Sequence, residues 1–335
     1  MKADRRGLLL GVALLAAALA LLLLGAAVGS TGFGSVFAAH QDPVAWQILR
    51  DIRLPRTVGA WAAGALLGLA GAVAQGLFRN PLADPYLLGS ASGAALAVAA
   101  VLALFGASPF ATHWLVRLGL TGAAFVGAVT GVLLTILLAN GVLHTLRLLL
   151  AGVIVGVVLG AARDLVTLAA PDILQAMQSF MLGSTGFVGW VACGVMGALL
   201  VPLVAVAWAL GRMLDGLALG EATAASLGLP LPFLRIVLVG VLGLATGAAV
   251  AQTGLIAFVG LAAPHLVRSV APVPHGRLAV LAALMGGTLL MAADVLARWL
   301  IPPQELPVGV LTAVLGGTYL LWLMHRRGRR GGALA

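Results

Sequence analysis

The sequence predicts an all-α, polytopic membrane protein with ten transmembrane helices. Three observations carry that prediction. Of the residues, 62% are apolar and only 9% are charged; the apolar residues gather into ten runs; and the basic residues fall unevenly on the two sides of those runs. A soluble domain has about 45–50% apolar and about 25% charged residues. The polar groups here are too few to coat a water-facing surface, so one soluble core of 335 residues is excluded. The net charge of +9 does not point to nucleic acid, because the arginines are scattered between apolar runs rather than gathered on one face. Cys193 is the only cysteine, which excludes a disulfide scaffold and a cysteine-rich metal site.

The runs fall at 8–29, 57–76, 87–106, 115–138, 147–168, 190–211, 233–250, 256–267, 278–300 and 308–324. Most reach the roughly 20 residues that cross about 30 Å of hydrocarbon. The first follows Arg5 and Arg6 as a signal peptide would, but 8–28 is longer than the roughly 7–15 residues of a signal core, so it is read as a retained helix. In the second, Gly64 and Gly68 are four residues apart, and in the fifth Gly152, Gly156 and Gly160 repeat that spacing. Small residues so placed predict close backbone approach, although glycine is also simply common in membrane helices. After the second run, the prolines of 80–85 stop the helix, leaving either an ordinary tight turn or a specialised element.

Arg163 and Asp164 interrupt the fifth run. A charge at mid-membrane costs about 2.5–3.5 kcal/mol on insertion scales and usually faces a cavity or a partner. Adjacent residues on a helix point in different directions, so the two are expected to have separate partners. Arg163 lies about 24 Å along the helix from Arg147, toward the outer side, where it either snorkels or faces a pathway. The segment 212–232 is the longest polar interruption on the inner side, with short helical stretches separated by glycine and closed by Pro230 and Pro232. The eighth run is too short to cross alone and is read as a half-length helix shielded by neighbours. In the ninth, Asp294 and Arg298 are four residues apart on one face and are expected to pair.

With the N-terminus in the cytoplasm, ten crossings put 13 of the 19 basic residues inside, among them Lys2, Arg5, Arg6, Arg79, Arg235 and the cluster at 326–330. Five lie outside, namely Arg50, Arg53, Arg56, Arg117 and Arg298, and Arg163 lies within a span. This is the positive-inside pattern, with both termini cytoplasmic. Without the eighth span the C-terminal cluster would fall outside, so the charges favour ten spans over nine. Lys2 is the only lysine, so the chain cannot contain the GxxxxGK[ST] of a phosphate-binding loop. HExxH, GxSxG and CxxC are also missing, and His265 beside Pro264 has no companion ligands, so neither a catalytic centre nor a metal site is expected.

Four segments carry a family resemblance: RLPRTVGAWAAGALLGLAGAVAQGLFRNPLADPYLLGSASGAALA (53–97), GEATAASLGLP (220–230), GLIAFVGLAAPHLVR (254–268) and ELPVGVLTAVLGG (305–317). In order and spacing they resemble the iron-chelate and cobalamin uptake permeases (FecCD type) of bacterial ABC importers. The resemblance covers nearly the whole chain and implies a type II importer permease forming one transmembrane domain over 1–335. Its implied partners are a second copy of itself, two ATP-binding cassette subunits that hold ATP and Mg, a periplasmic substrate-binding protein, and a small-molecule chelate such as heme, a ferric siderophore or cobalamin. No cofactor is implied on this chain, and its location is the bacterial inner membrane.

By matching position, the resemblance makes Asn80 and Leu82 gate residues on the cytoplasmic side, opposed by Thr145 and Leu146. Leu146 stands where cobalamin members carry a small polar residue. The segment 220–230 becomes the ATPase-coupling element, with Ala222, Ala225, Leu227 and Gly228 in contact and Glu221 orienting it. Arg53, Arg56 and Arg298 match docking arginines for the binding protein, where the bare residues also allow snorkelling. The fifth helix lines the translocation path in the family, and its charged pair departs from the small or apolar residues expected there. An arginine in such a path suits an anionic cargo.

Two other classes compete. An ion-coupled secondary transporter would need intramembrane ionisable sites, for which Asp164 and Asp294 are the candidates. An intramembrane enzyme would need a nucleophile–base or metal constellation, and none is present in the sequence.

Overall fold

The computed structural model describes residues 2–29, 32–33, 42–105, 114–142 and 145–331. The side chains of Lys2, Arg117, Arg326, Arg327, Arg329 and Arg330, which entered the charge count, lie outside what is described, as does most of the outer segment 30–41. The order is α1 (Lys2–Ala27), a two-strand hairpin (Val28–Gly29 with Gly32–Phe33), α2 (Pro43–Ile48), a π-turn (Leu49–Arg53), α3 (Leu54–Leu77) and a 3₁₀ turn (Pro85–Leu88). Next come α4 (Ser90–Phe105), α5 (Trp114–Leu138), α6 (Thr145–Ala169), a 3₁₀ turn (Pro171–Ile173), α7 (Leu174–Leu182) and α8 (Trp190–Ala209). The chain closes with α9 (Gly211–Ala218), α10 (Glu221–Ser226), α11 (Leu231–Thr253), α12 (Val259–Val270), α13 (His275–Trp299) and α14 (Val308–Gly331).

Each of the ten apolar runs coincides with a helix, but their reach is unequal. Among the described residues, 7 helices are long and apolar enough to cross a membrane, while α4 and the apolar part of α14 are shorter. The short eighth run becomes α12, with 12 residues. At 1.5 Å per residue it spans about 18 Å and cannot cross alone. It packs between α3 and α13 and buries Val259, Leu261, Ala263 and Val267, as expected of a shielded half-length helix. Its far end is held by Arg268, which donates to Oε1 of the buried Gln75 on α3, while Nε2 of Gln75 donates to the Leu261 carbonyl at 3.1 Å.

The centre of the bundle is α3, buried almost throughout and enclosed by α13, α11, α12 and α8. The glycine spacing explains how α3 and α13 meet. A Cβ on Gly64 would collide with the Gly286 carbonyl, and one on Gly68 with the Ala282 carbonyl. Backbones in direct contact maximise dispersion where lipid offers no hydrophobic drive. On α6 the expectation holds only in part. Gly152 abuts the Leu87 carbonyl, whereas Gly156 has only Ser92 Oγ at 3.8 Å and Gly160 has nothing nearby. The rest of α6 carries exposed Leu150, Ile154, Val157, Leu165 and Leu168, so one long apolar face of this helix is uncovered in the single chain.

Candidate functional site

Polar chemistry concentrates at the two ends of α3. At the end that the charge pattern assigns to the outside, Asp294 on α13 is fully buried and takes three donors. Arg56 Nε lies 2.9 Å from Oδ1, Thr185 Oγ1 2.5 Å from Oδ1, and Arg298 Nη2 2.7 Å from Oδ2. Arg56 continues outward to Glu305, Nη1 to Oε2 at 2.7 Å. Arg298 also donates through Nη1 to the carbonyls of Gly25 and Val28, at 2.8 and 3.0 Å. Arg53 reaches the carbonyls of Ala26 and Ala27 at 3.3 and 3.2 Å. The last carbonyls of α1, which have no partner within the helix, are thus met by two guanidiniums, and each cation also suits the negative end of the helix dipole.

Two of the three arginines that match docking positions are buried in the single chain. Arg298 is 1% exposed and Arg56 8%: Arg298 is engaged by Asp294 and the Gly25 and Val28 carbonyls, and Arg56 by Asp294 and Glu305. Arg53 is half-buried, and Arg50, 3.9 Å from Asp51, is exposed. The expected pairing of Asp294 with Arg298 is present.

At the opposite end, Glu221 begins α10 and its Oε1 gathers three donors from three other elements. Arg235 Nη2, at the start of α11, is 2.7 Å away; Thr145 Oγ1, at the start of α6, donates at 2.9 Å; Arg79 Nη2, just past α3, is at 3.5 Å. Arg235 also donates to Thr145 Oγ1 at 3.3 Å. Partial burial pushes the Glu221 carboxyl up, but the hydrogen bonds from Arg235 and Thr145 and the charges of Arg235 and Arg79 outweigh it and hold the carboxyl below its ordinary range. Next to this knot, Asn80 Oδ1 accepts the Leu82 N–H at 2.9 Å, the local turn that the prolines foretold. Leu82 and Leu146 are both exposed. Thr145 is therefore tied to Glu221, while Asn80 and Leu82 connect to it only through their neighbour Arg79.

On the same segment Ala222, Ala225, Leu227 and Gly228 are exposed, with Ala224 buried beneath them. Leu227, 63% exposed, is the large apolar group of this face. Ahead of it, Asp215 on α9 lies 2.6 Å from His275 Nδ1 and accepts the His275 backbone N–H at 3.0 Å.

The charged pair of α6 corrects another expectation. Arg163 and Asp164 do not have separate partners. Arg163 turns back on its neighbour, Nε and Nη2 lying 3.0 and 2.6 Å from Asp164 Oδ1, and its Nη1 rests 3.2 Å from Met181 Sδ. The long arginine side chain allows this where the backbone directions alone do not. Together with Met177, Gln178 and Leu182 they line a cleft of about 350 Å³ between α6 and α7. Among the described residues no group of three or more metal-ligating side chains occurs, and His265 stands edge-on to Tyr319, ring centroids 6.0 Å apart.

Sequence reasoning missed Asp215, His275, Glu305 and Thr185 entirely, and saw Arg79 and Arg235 only as counted charges. Glu221 meets Thr145 across 76 positions of chain, and Arg56 meets Glu305 across 249. No periodicity reports such separations.

Comparison with known proteins agrees with this architecture. The model of the FecCD transport family matches residues 12–326. The hemin transport system permease protein HmuU of Yersinia pestis is 38% identical over 310 residues, covering 90% of this chain and 91% of that protein. The vitamin B12 import system permease protein BtuC of Escherichia coli O157:H7 is 39% identical over 298 residues, covering 88% of each. A solved structure of a metal-chelate-type ABC transporter in an inward-facing conformation superposes with a TM-score of 0.84 at 27% identity, covering 94% of this chain and 98% of that one.

Proposed function

This chain belongs to the FecCD transport family, and from that membership we propose that it is the membrane-spanning subunit of a binding-protein-dependent importer for an iron chelate, heme or a ferric siderophore. The observation that carries the mechanism is the Glu221 knot, which joins the exposed inner segment to Thr145 and, through Arg79, to the turn bearing Asn80 and Leu82. Ala222, Ala225, Leu227 and Gly228 form the contact with a partner ATPase, which holds ATP and Mg. Asn80, Leu82, Thr145 and Leu146 form the inner gate. A second copy of the chain covers the apolar face of α6, and Arg163 and Asp164 stand at the mouth of the path between the copies. The protein lies in the bacterial inner membrane with both termini cytoplasmic. A loaded periplasmic binding protein docks at the outer end, where Arg53 makes contact and Arg56 and Arg298 hold the surface in shape. Closure of the ATPases then moves 212–232, and the cargo leaves through the inner gate.

A corrinoid is the second cargo reading, because the B12 permease and the hemin permease are equally similar to this chain. Arg163 favours an anionic chelate, although its pairing with Asp164 leaves the cleft close to neutral. Proteoliposomes with the complete importer test both points. ATP-dependent uptake of heme or a ferric siderophore from its loaded binding protein is expected, with slower uptake by Arg163→Ala at unchanged assembly. Uptake of cobalamin alone would reassign the cargo, and uptake without ATP or a partner ATPase would reject the importer reading.

A further inference from the structure

The inner segment carries two carboxylates, and they reach different bodies. Asp215 engages His275, the first residue of α13, through both backbone and ring. Around that contact α9 is seated firmly. Gly211 lies against the Gly276 backbone, where a Cβ would collide, and Leu214 and Leu217 are buried. Since α13 is the helix welded to α3 through the Gly64–Gly286 contact, this half of the segment is fastened to the rigid centre of the bundle. The other half is held differently. In α10 only Ala224 is buried, and beyond the backbone continuation the grip on the bundle comes from Glu221. Between the halves lies Gly220 at φ +110°, a conformation that side-chain-bearing residues rarely adopt and a natural joint.

Resting on the importer reading above, we propose that the segment is a lever in which the Asp215–His275 contact is the fulcrum and Glu221 is the hook, so that Glu221 is the positioning residue that turns force on α10 into movement of both sides of the inner gate. One carboxylate oxygen serves α6 directly through Thr145, α11 through Arg235, and the 80–82 turn through Arg79. Arg79 itself sits at φ +49°, so the turn it begins is already held in a sparsely populated backbone state that a change in its ion pair can release. Glu221 is 35% exposed and its Arg79 partner 40%, so this pair can open to water while the buried Arg235 keeps Glu221 seated, whereas α9 cannot shift without opening its contact with α13. Rigid on one side and exchangeable on the other is what a transmitting element requires.

The test uses the complete importer in liposomes, measuring cargo delivered per ATP hydrolysed. Glu221→Gln, which keeps an acceptor oxygen for Thr145 but loses the charge, is expected to lower that ratio roughly five- to tenfold. Glu221→Asp is expected to restore part of it. Thr145→Val is expected to lower the ratio in the same direction and Thr145→Ser, which keeps the acceptor for Arg235, to preserve it; the pair tests the hook while the Glu221 charge stays in place. Asp215→Asn is expected to lower transport and ATP hydrolysis together, leaving the ratio near that of the parent. An unchanged ratio in both Glu221→Gln and Thr145→Val overturns the lever, as does a fall in the ratio for Asp215→Asn matching that of Glu221→Gln. If the parent complex itself shows no ATP-dependent uptake, the importer reading fails first and independently of any variant.

Discussion

The two ends of α3 solve opposite problems with the same residue types. At the outer end, two arginines share one carboxylate that has no exposure at all, and their remaining donors go to helix-terminal carbonyls and to Glu305. At the inner end, one carboxylate, 35% exposed, is shared by two arginines and a threonine on three separate elements. Burial decides what each cluster can do. Breaking a buried pair strands an uncompensated charge at a cost of about 3–5 kcal/mol, so the outer cluster is a fixed joint. A water-accessible pair such as Arg79–Glu221 contributes about 0–1 kcal/mol and can be exchanged, so the inner cluster, anchored by the buried Arg235, has one side that suits a part that moves.

The comparison can be broken at four points. Asp294→Ala is expected to have the largest effect. It leaves Arg56 and Arg298 without their shared acceptor and should cost about 3–5 kcal/mol, read as a lowered melting temperature of the detergent-purified protein and reduced membrane yield. Arg298→Met should cost somewhat less, about 2–3 kcal/mol, since Asp294 retains Arg56 and Thr185 while the Gly25 and Val28 carbonyls lose their donor. The same melting measurement checks it. Glu305→Gln should cost under about 1 kcal/mol, because that carboxylate is 30% exposed; a loss as large as that of Asp294→Ala would erase the distinction between joint and rim.

The smallest effect concerns pH at the inner end. The Glu221 carboxyl is held below its ordinary range, so the knot's contribution is complete above the unfolded value of about 4.3 and fades only as pH falls through the lowered folded value. Coupled uptake should therefore be indifferent to the Glu221 carboxyl between about pH 8 and pH 6. A titration of coupling in that window that disappears in Glu221→Gln would contradict the assignment.

Much of this molecule was legible in one dimension. Helices that must satisfy every backbone group within hydrocarbon announce themselves as long apolar runs, and α12 was legible as short and shielded because its run, 256–267, is too short to cross alone. The Gly64–Gly68 spacing foretold a close backbone approach, though not that α13 supplies it, and the four-residue interval foretold the pairing of Asp294 with Arg298. The glycines of α6 misled, since a spacing states that a close approach is possible and not that this chain supplies the partner. Arg163 misled in the other direction: its rotamers let it fold back onto Asp164, which backbone geometry alone does not suggest.

The sequence by itself determined a membrane-embedded helical protein, because composition and run length report directly on the solvent in which a chain can be stable. Only the tertiary structure decided which charges are joints and which are hooks. That depends on burial and on partners tens to hundreds of residues away, and the energy of a charge is set by the dielectric and the groups around it rather than by its neighbours along the chain.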